Sequence, residues 1–325
     1  MSLQNCLSLS DCKINKMTEK QRLLNFSGES PLYQLFGSIL IIVGVGFILA
    51  TVLVPAGMWI FGADLNVLTN ADASLTDNDI SFIRYLLIIQ DLSFLFIPGV
   101  ILLSVMKQPG SKFIELKTPE LKEIGLVILL TICIFPVSSF TGQINSAIHL
   151  PSWLSGVEQW MIKREQATDN LIDSLVVSDT FRIMLLNLFI IALIPAIAEE
   201  IIFRGVFQRI FTRLFKSGHL AIWVTAFIFS TIHFQFLGFI PRFILGLVFG
   251  YLFFWGGTLW LPIISHFVNN AYPVILTYVH GIEKTNATPD IPLWKQAVAL
   301  PIPIVVIFVI LFHFRKKNLN PLITE

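Results

Sequence analysis

Residues 193–205 read LIPAIAEEIIFRG, and the class of the fold follows from the segment that contains them. That segment, 183–206, is apolar and long enough to cross a bilayer, since a spanning helix needs about 20 mostly apolar residues. Seven further segments share this character. The eight predicted spans are 36–59, 84–106, 122–142, 183–206, 219–237, 240–256, 259–280 and 296–314. The sequence therefore predicts an all-α polytopic membrane protein with about eight transmembrane helices.

The composition of the whole chain agrees with this prediction. Of its 325 residues 55% are hydrophobic and only 13% are charged, which is about half the ~25% charged share of a soluble domain. Disorder is excluded as well, because disordered chains are polar and rich in charge. A net charge of +1 lacks the basic footprint that nucleic-acid binding requires. The lipid bilayer is therefore an expected partner, and nucleic acid is not.

Lysine and arginine residues predict the orientation of the chain, because they are in excess on the cytoplasmic side. Fourteen of the 22 lie on one side if all eight spans are real, which places both termini in the cytoplasm. The polar first 35 residues predict no cleavable signal peptide, so the first span is expected to direct insertion. The predicted parts are a cytoplasmic N-terminal tail at 1–35, three spans with a long outer loop at 36–182, a core at 183–280, and the last span with a cytoplasmic tail at 281–325.

The long outer loop, residues 143–182, has a pattern of its own. Apolar residues recur there at roughly helical spacing among charges. They are Trp153, Val157, Trp160, Met161, Ile172 and Leu175. This pattern predicts a helix that lies on the outer leaflet of the membrane. A lid that guides substrate is the alternative interpretation.

Two adjacent carboxylates lie inside the 183–206 segment, where an ionisable group is costly and therefore a candidate for function. Glu200 and Arg204 are spaced i, i+4 and are expected to form an ion pair along one helix face. Glu199 is rotated by about 100° around the helix, so it has no predicted partner in its own segment. A carboxylate left free in this way suits a general base or acid.

Two later spans add imidazole and amide groups. Phe229 and His233 lie four residues apart in the fifth span, and His266 and Asn270 lie one turn apart in the seventh. We expect spans four, five and seven to face one cavity. That cavity would then hold a carboxylate to take a proton from water and donors to stabilise an oxyanion, which is sufficient for hydrolysis.

Each of these polar residues also has a structural interpretation, because a histidine or asparagine in a membrane is often a packing contact between helices. Gln90, Asp91 and Asn187 are interpreted in that way. The Glu200–Arg204 pair is assigned a supporting role. The three motifs together indicate function more strongly than any one of them, since chance seldom places them in neighbouring spans.

The ordered motifs resemble the CPBP family of intramembrane proteases, which includes the CAAX prenyl endopeptidases and bacterial abortive-infection and bacteriocin self-immunity proteins. They read EEIIFR at 199–204, FSTIH at 229–233 and HFVNN at 266–270. The similarity covers about 183–275, and every motif residue is present. It implies an eight-helix, all-α fold and cleavage of a peptide bond in a membrane-associated protein or peptide.

The resemblance also implies four catalytic and two supporting residues. They are Glu199 with His233 to activate water, His266 with Asn270 to stabilise the oxyanion, and Glu200 with Arg204 to brace the site.

Cofactor use remains open at this point, because the family has been described both as metal-dependent and as using a metal-free glutamate mechanism. Glu199, His233 and His266 could form a zinc site with two histidines and one glutamate. The sequence has no HExxH motif to support that metal site. We favour a mechanism with no cofactor, and zinc is the alternative.

Two other functions match parts of the sequence. A catalytically idle immunity or scaffold protein would bind a peptide or partner in the same cavity. A transporter or proton relay would use Glu199, His233 and Asp91, but polar residues along a whole path and an inverted repeat are expected for it and are not seen. An intramembrane endopeptidase is the primary hypothesis. The short loops carry no organelle signal and favour a bacterial plasma membrane.

The predicted depths of the three motifs do not agree at first. Glu199 comes late in an inward-running span and His266 early in an outward-running one, so both favour the cytoplasmic half. His233 lies fourteen residues after His219 and would pass the midplane. We expect the fourth helix to continue beyond residue 206 and the fifth to begin a few residues later than 219.

Overall fold

A computed structural model describes residues 26–68, 75–106, 117–177, 180–281 and 291–317 of the chain. Within these ranges the regular structure is helical and contains no strand. Three short 3₁₀ turns lie at Phe26–Gly28, Leu65–Leu68 and Ser152–Leu154. The helices are α1 Pro31–Phe61, α2 Asp77–Val105, α3 Leu121–Ser146, α4 Ser155–Val176, α5 Phe181–Phe215, α6 Gly218–Thr231, α7 Phe239–Gly256, α8 Trp260–His280 and α9 Leu293–Lys317.

Helices occupy all eight positions at which spans were predicted, which confirms the all-α membrane fold. Six of them, α1, α2, α3, α5, α7 and α9, are long and apolar enough to cross a membrane. The other two differ from that pattern. Helix α6 has only 14 residues, and α8 carries His266, Asn269 and Asn270 near its middle.

The junction between the fourth and fifth spans corrects the predicted boundaries. Helix α5 continues to Phe215, well beyond the predicted end at residue 206, so the expected continuation is confirmed. The expected late start of the fifth helix is wrong. Lys216 adopts a left-handed φ of 53° that ends α5, and the Ser217 hydroxyl caps α6 by accepting from a backbone amide at 3.3 Å. Instead, α6 ends early, and His233 lies in the turn beyond it.

Three π-helical turns interrupt α2 and α5. Those at Leu92–Phe96 and Leu188–Leu193 come just before Pro98 and Pro195. A proline has no N–H to donate, and its ring clashes with the carbonyl four residues earlier, so a wider turn relieves the clash. The third, Ile201–Phe207, begins directly after the two carboxylates. Turns of this kind often occur at functional sites.

Helices α6 and α7 pack closely because glycines of α7 face α6. A Cβ atom on Gly246 would lie 3.0 Å from the Cβ of Ala226, and one on Gly250 would lie 2.7 Å from Cγ2 of Ile222. Small residues allow helix backbones to approach in a membrane, where association depends on close packing. This contact holds α6, and so the turn that follows it, against the rest of the core.

The predicted outer-loop helix is present as α4. Its last residues, Leu175 and Val176, are buried, whereas Val157 and Trp160 are exposed. It contacts α2, the start of α5, and α8, so it packs on the helical core. Its placement on the outer leaflet stays a prediction.

Candidate active site

Glu200 and Arg204 form the predicted ion pair, and both side chains are fully buried. Nη1 of the arginine donates to Oε1 of the glutamate at 2.7 Å. Nη2 donates to the backbone carbonyl of Gly246 at 3.1 Å. The guanidinium carbon lies 4.9 Å from the ring centre of Phe229 and 5.3 Å from that of Phe249. A salt bridge, a hydrogen bond and cation–π contacts thus hold both terminal nitrogens and the ring-facing sides of the guanidinium.

Glu200 also orients His266, a contact that the sequence analysis missed. The same oxygen, Oε1, accepts a hydrogen bond from Nδ1 of the imidazole at 3.0 Å. An ionised carboxylate only accepts, so Nδ1 carries a proton. The imidazole stacks on Phe249 with ring centres 5.0 Å apart. Together these contacts turn Nε2 toward Glu199, whose Oε2 is 3.9 Å away.

His233 reaches the same point from a different kind of backbone. It was predicted on a face of the fifth helix, but that helix ends at Thr231, and Phe234 adopts a left-handed φ of 52°. The four-residue spacing to Phe229 still brings the two residues into contact, because Nδ1 of His233 donates to the Phe229 carbonyl at 2.7 Å. This leaves Nε2 facing Glu199, 4.0 Å from its Oε2.

Glu199 is therefore where the two imidazoles converge. Its Oε2 atom is buried and accepts no hydrogen bond from the residues that the structure describes. The distances to both Nε2 atoms are too long for direct hydrogen bonds. Asp91 of α2, only 7% exposed, interacts electrostatically with Glu199. The sequence analysis interprets Asp91 as a packing residue, although it too is an ionisable group in an apolar span, which is the property that singles out Glu199.

Asn270 lies one turn after His266 on α8 and is half-buried. Its Oδ1 accepts from Nδ2 of Asn269 at 3.1 Å. Its own Nδ2 group remains a donor, which is the property that an oxyanion site needs. The structure thus brings Glu199, His233 and His266 together, and the role of Asn270 stays a prediction.

The alternative zinc site can be tested against these distances. Two ligands of a tetrahedral zinc ion, each at ~2.0–2.2 Å, lie about 3.4 Å apart. Glu199 Oε2 is 3.9 and 4.0 Å from the two Nε2 atoms. Across the described parts of the chain, no group of three or more His, Cys, Asp or Glu side chains is arranged to hold a metal ion. The side chains as placed do not fit zinc without moving closer together.

Comparison with known proteins singles out the same segment. Residues 181–272 match the family described as type II CAAX prenyl endopeptidase Rce1-like. The chain is also similar to the uncharacterized protein YpbD of Bacillus subtilis (strain 168), with 30% identity over 89 residues. That match covers 26% of this chain and 42% of the relative, about two fifths of its length. No solved structure matches. The family match contains all three motifs, which confirms the predicted resemblance of this segment to the CPBP, or CAAX protease, family.

Proposed function

We propose that this integral membrane protein is an intramembrane endopeptidase that hydrolyses a peptide bond of a membrane-associated protein or peptide. The observation that supports it best is the convergence of His233 Nε2 and His266 Nε2 on Glu199 Oε2, at 4.0 and 3.9 Å. A water molecule could lie about 2.8 Å from both Glu199 Oε2 and one Nε2 atom. The angle at its oxygen between these two atoms would be about 90°, an acceptable geometry for two hydrogen bonds.

In the first step Glu199 acts as the general base. Its Oε2 takes a proton from the water, and the water oxygen forms a bond to the carbonyl carbon of the substrate. His233 helps because its Nδ1 proton is donated to the Phe229 carbonyl, so the neutral ring presents an unprotonated Nε2 to the water. When the C–N bond breaks, the proton held by Glu199 passes to the leaving amine.

His266 and Asn270 stabilise the negative charge that develops on the carbonyl oxygen. To donate from Nε2 while Nδ1 donates to Glu200, His266 must carry both protons. The Glu200 carboxylate offsets that positive charge. Asn270 adds a neutral donor from the next turn of α8.

Glu200 and Arg204 support the site without touching the substrate. Glu200 Oε1 accepts from both Arg204 and His266, so the arginine fixes the carboxylate and the carboxylate fixes the imidazole. Donors held in place before the reaction contribute more than donors that must reorient during it. The pair therefore acts through the position of His266.

We also propose that the protein lies in a bacterial plasma membrane with both termini in the cytoplasm. The proposed mechanism uses no metal. Activity of the purified protein should persist after long exposure to a chelator. Loss of turnover on chelation, with recovery on adding zinc, would overturn the metal-free route. It would leave the protease proposal intact, because the same three side chains, moved closer together, would then be the ligands.

The substitution Glu199→Gln tests the proposed function. The amide keeps the shape of the side chain but cannot take a proton, so cleavage should fall by ~10²–10⁴-fold. Membranes that hold the wild type or the variant are compared by proteomics for peptides with new termini. A reporter substrate identified in this way is then assayed with purified protein in vesicles.

The matched control is Glu158→Gln on α4, whose carboxylate pairs with His149 outside the site. It should cleave like the wild type. Equal cleavage by Glu199→Gln and Glu158→Gln would remove Glu199 from the reaction. If the membrane proteins show the same peptide termini with the wild type and with both variants, a scaffold or immunity protein is favoured.

A further inference from the structure

The segment that carries His233 needs an explanation, because it is not part of a helix. We call residues 232–238, between α6 and α7, the histidine loop. Phe234 in this loop has a φ of 52°, a left-handed conformation that is disfavoured for residues with a side chain. Such a conformation persists only when surrounding contacts hold it in place.

One of these contacts comes from the outer-loop helix α4. Glu165 is only 8% exposed, and its Oε2 accepts a hydrogen bond from the backbone N–H of Leu237 at 2.7 Å. Trp160, on the same helix, packs against Phe236 with ring centres 5.7 Å apart. A glutamate is almost never buried unless it has a partner, so its burial here indicates a specific function for the contact.

A second contact comes from the end of α3. The Asn145 side chain donates from Nδ2 to the Phe236 carbonyl at 2.7 Å. Its Oδ1 accepts from the Ile240 amide at 2.9 Å. One buried side chain thus satisfies two backbone groups that flank the junction of the loop with α7, as buried polar backbone requires.

A third set of contacts with the histidine loop comes from helix α7. Arg242 donates to the carbonyl and to the side-chain oxygen of Gln235. It also interacts electrostatically with Glu165 and with Glu199. The loop is therefore held by three helices that lie outside the three catalytic motifs.

We propose that Glu165 and Asn145 are positioning residues of the active site, which hold the histidine loop, with its left-handed residue Phe234, in the conformation in which His233 Nε2 faces Glu199. This inference rests on the proposed function. It gives α4 a role in the reaction, because any displacement of that helix moves the hydrogen bond to Leu237 and with it the loop. Neither residue touches the reacting atoms.

The substitution Glu165→Ala tests the proposal. Loss of the acceptor should lower kcat by about 10²-fold, because a displacement of ~1 Å in a catalytic group is enough for that. KM should change little, since substrate binding is not altered. Glu165→Gln keeps a side-chain oxygen for the Leu237 amide and should recover most of kcat. Glu158→Ala, on the same helix, should match the wild type.

Hydrogen exchange supplies a measurement that does not depend on catalysis. The amides of 234–240 should exchange faster in Glu165→Ala. They should also exchange faster in Asn145→Asp, which keeps an acceptor for the Ile240 amide but faces the Phe236 carbonyl with a carboxylate oxygen in place of the donor. Exchange in α5 and α8 should stay unchanged. If the loop inference is right but the protein is not a protease, these exchange rates still rise, and neither the wild type nor the variant cleaves a substrate. If the loop inference is wrong, the rates stay as in the wild type.

A second variant tests the reason for the contacts. Glycine adopts positive φ without a steric penalty, so Phe234→Gly in the Glu165→Ala background should restore part of the lost kcat and of the lost protection. A fall in kcat that Phe234→Gly does not relieve would contradict the strain argument. Wild-type kcat and protection in Glu165→Ala would overturn the whole proposal.

Discussion

The two histidines of the candidate site reach Glu199 by different means. His266 lies within α8 and is fixed by the fully buried Glu200–Arg204 pair, so its support comes from side chains on continuous helices. His233 lies beyond the end of α6, and its loop is fixed by Asn145 and Glu165, which come from distant parts of the chain. Within the first support, the Glu200–Arg204 pair follows from an i, i+4 spacing in the sequence, and only its contact with His266 depends on the tertiary structure. The second depends on how the helices assemble.

The largest effect is expected when the first support is broken. Arg204→Ala leaves the Glu200 carboxylate buried with only His266 beside it. Removing one partner of a buried ion pair costs about 3–5 kcal/mol, because the other charge stays uncompensated. The free energy of unfolding in detergent should fall by this amount, and cleavage should fall with it. Denaturant titration followed by tryptophan fluorescence measures the change.

Arg164→Ala, at an exposed position on α4, is the control for loss of an arginine and should leave stability unchanged. A stable but inactive Arg204→Ala protein would contradict the supporting role. It would show that the arginine contacts the substrate instead.

The next effect separates the two proposed oxyanion donors on α8. His266→Ala and Asn270→Ala should each lower kcat by ~10²–10³-fold, the usual loss for one donor. Only His266→Ala should also lower the melting temperature, since Glu200 then loses a hydrogen bond in a buried site. Cleavage assays and thermal unfolding of the two variants are compared directly. Wild-type kcat in Asn270→Ala would remove that residue from the oxyanion site.

The smallest effect concerns the packing that holds α6, and hence the histidine loop. Gly250→Ala places a Cβ atom 2.7 Å from Ile222, and overpacking of this kind costs about 1–3 kcal/mol. Gly125→Ala in α3 is the matched control, because no atom lies within 4 Å of its added Cβ. That control should gain roughly 0.5–1 kcal/mol from helix propensity. Equal stability of the two variants would contradict the packing argument, because it would show that α6 and α7 can move apart to accept the added methyl group without loss of stability.

Much of the fold could be predicted because each apolar run is a local property. A helix satisfies its own backbone in lipid, so about 20 apolar residues suffice to identify it. The residues at which the helices end are harder to predict from the sequence. The φ values of Lys216 and Phe234 are left-handed at residues that are not glycine, and no sequence rule marks such positions in advance.

The sequence by itself determined the membrane class, the Glu200–Arg204 pair and the identity of Glu199, His233 and His266 as candidates. These follow from composition and from spacings of three or four residues, which a helix converts directly into neighbouring side chains. Only the tertiary structure decided that Glu200 also binds His266, that Asp91 lies near Glu199, and that α4 holds the histidine loop. Those contacts join residues 66 or more positions apart, and their geometry depends on helix packing that no local pattern encodes.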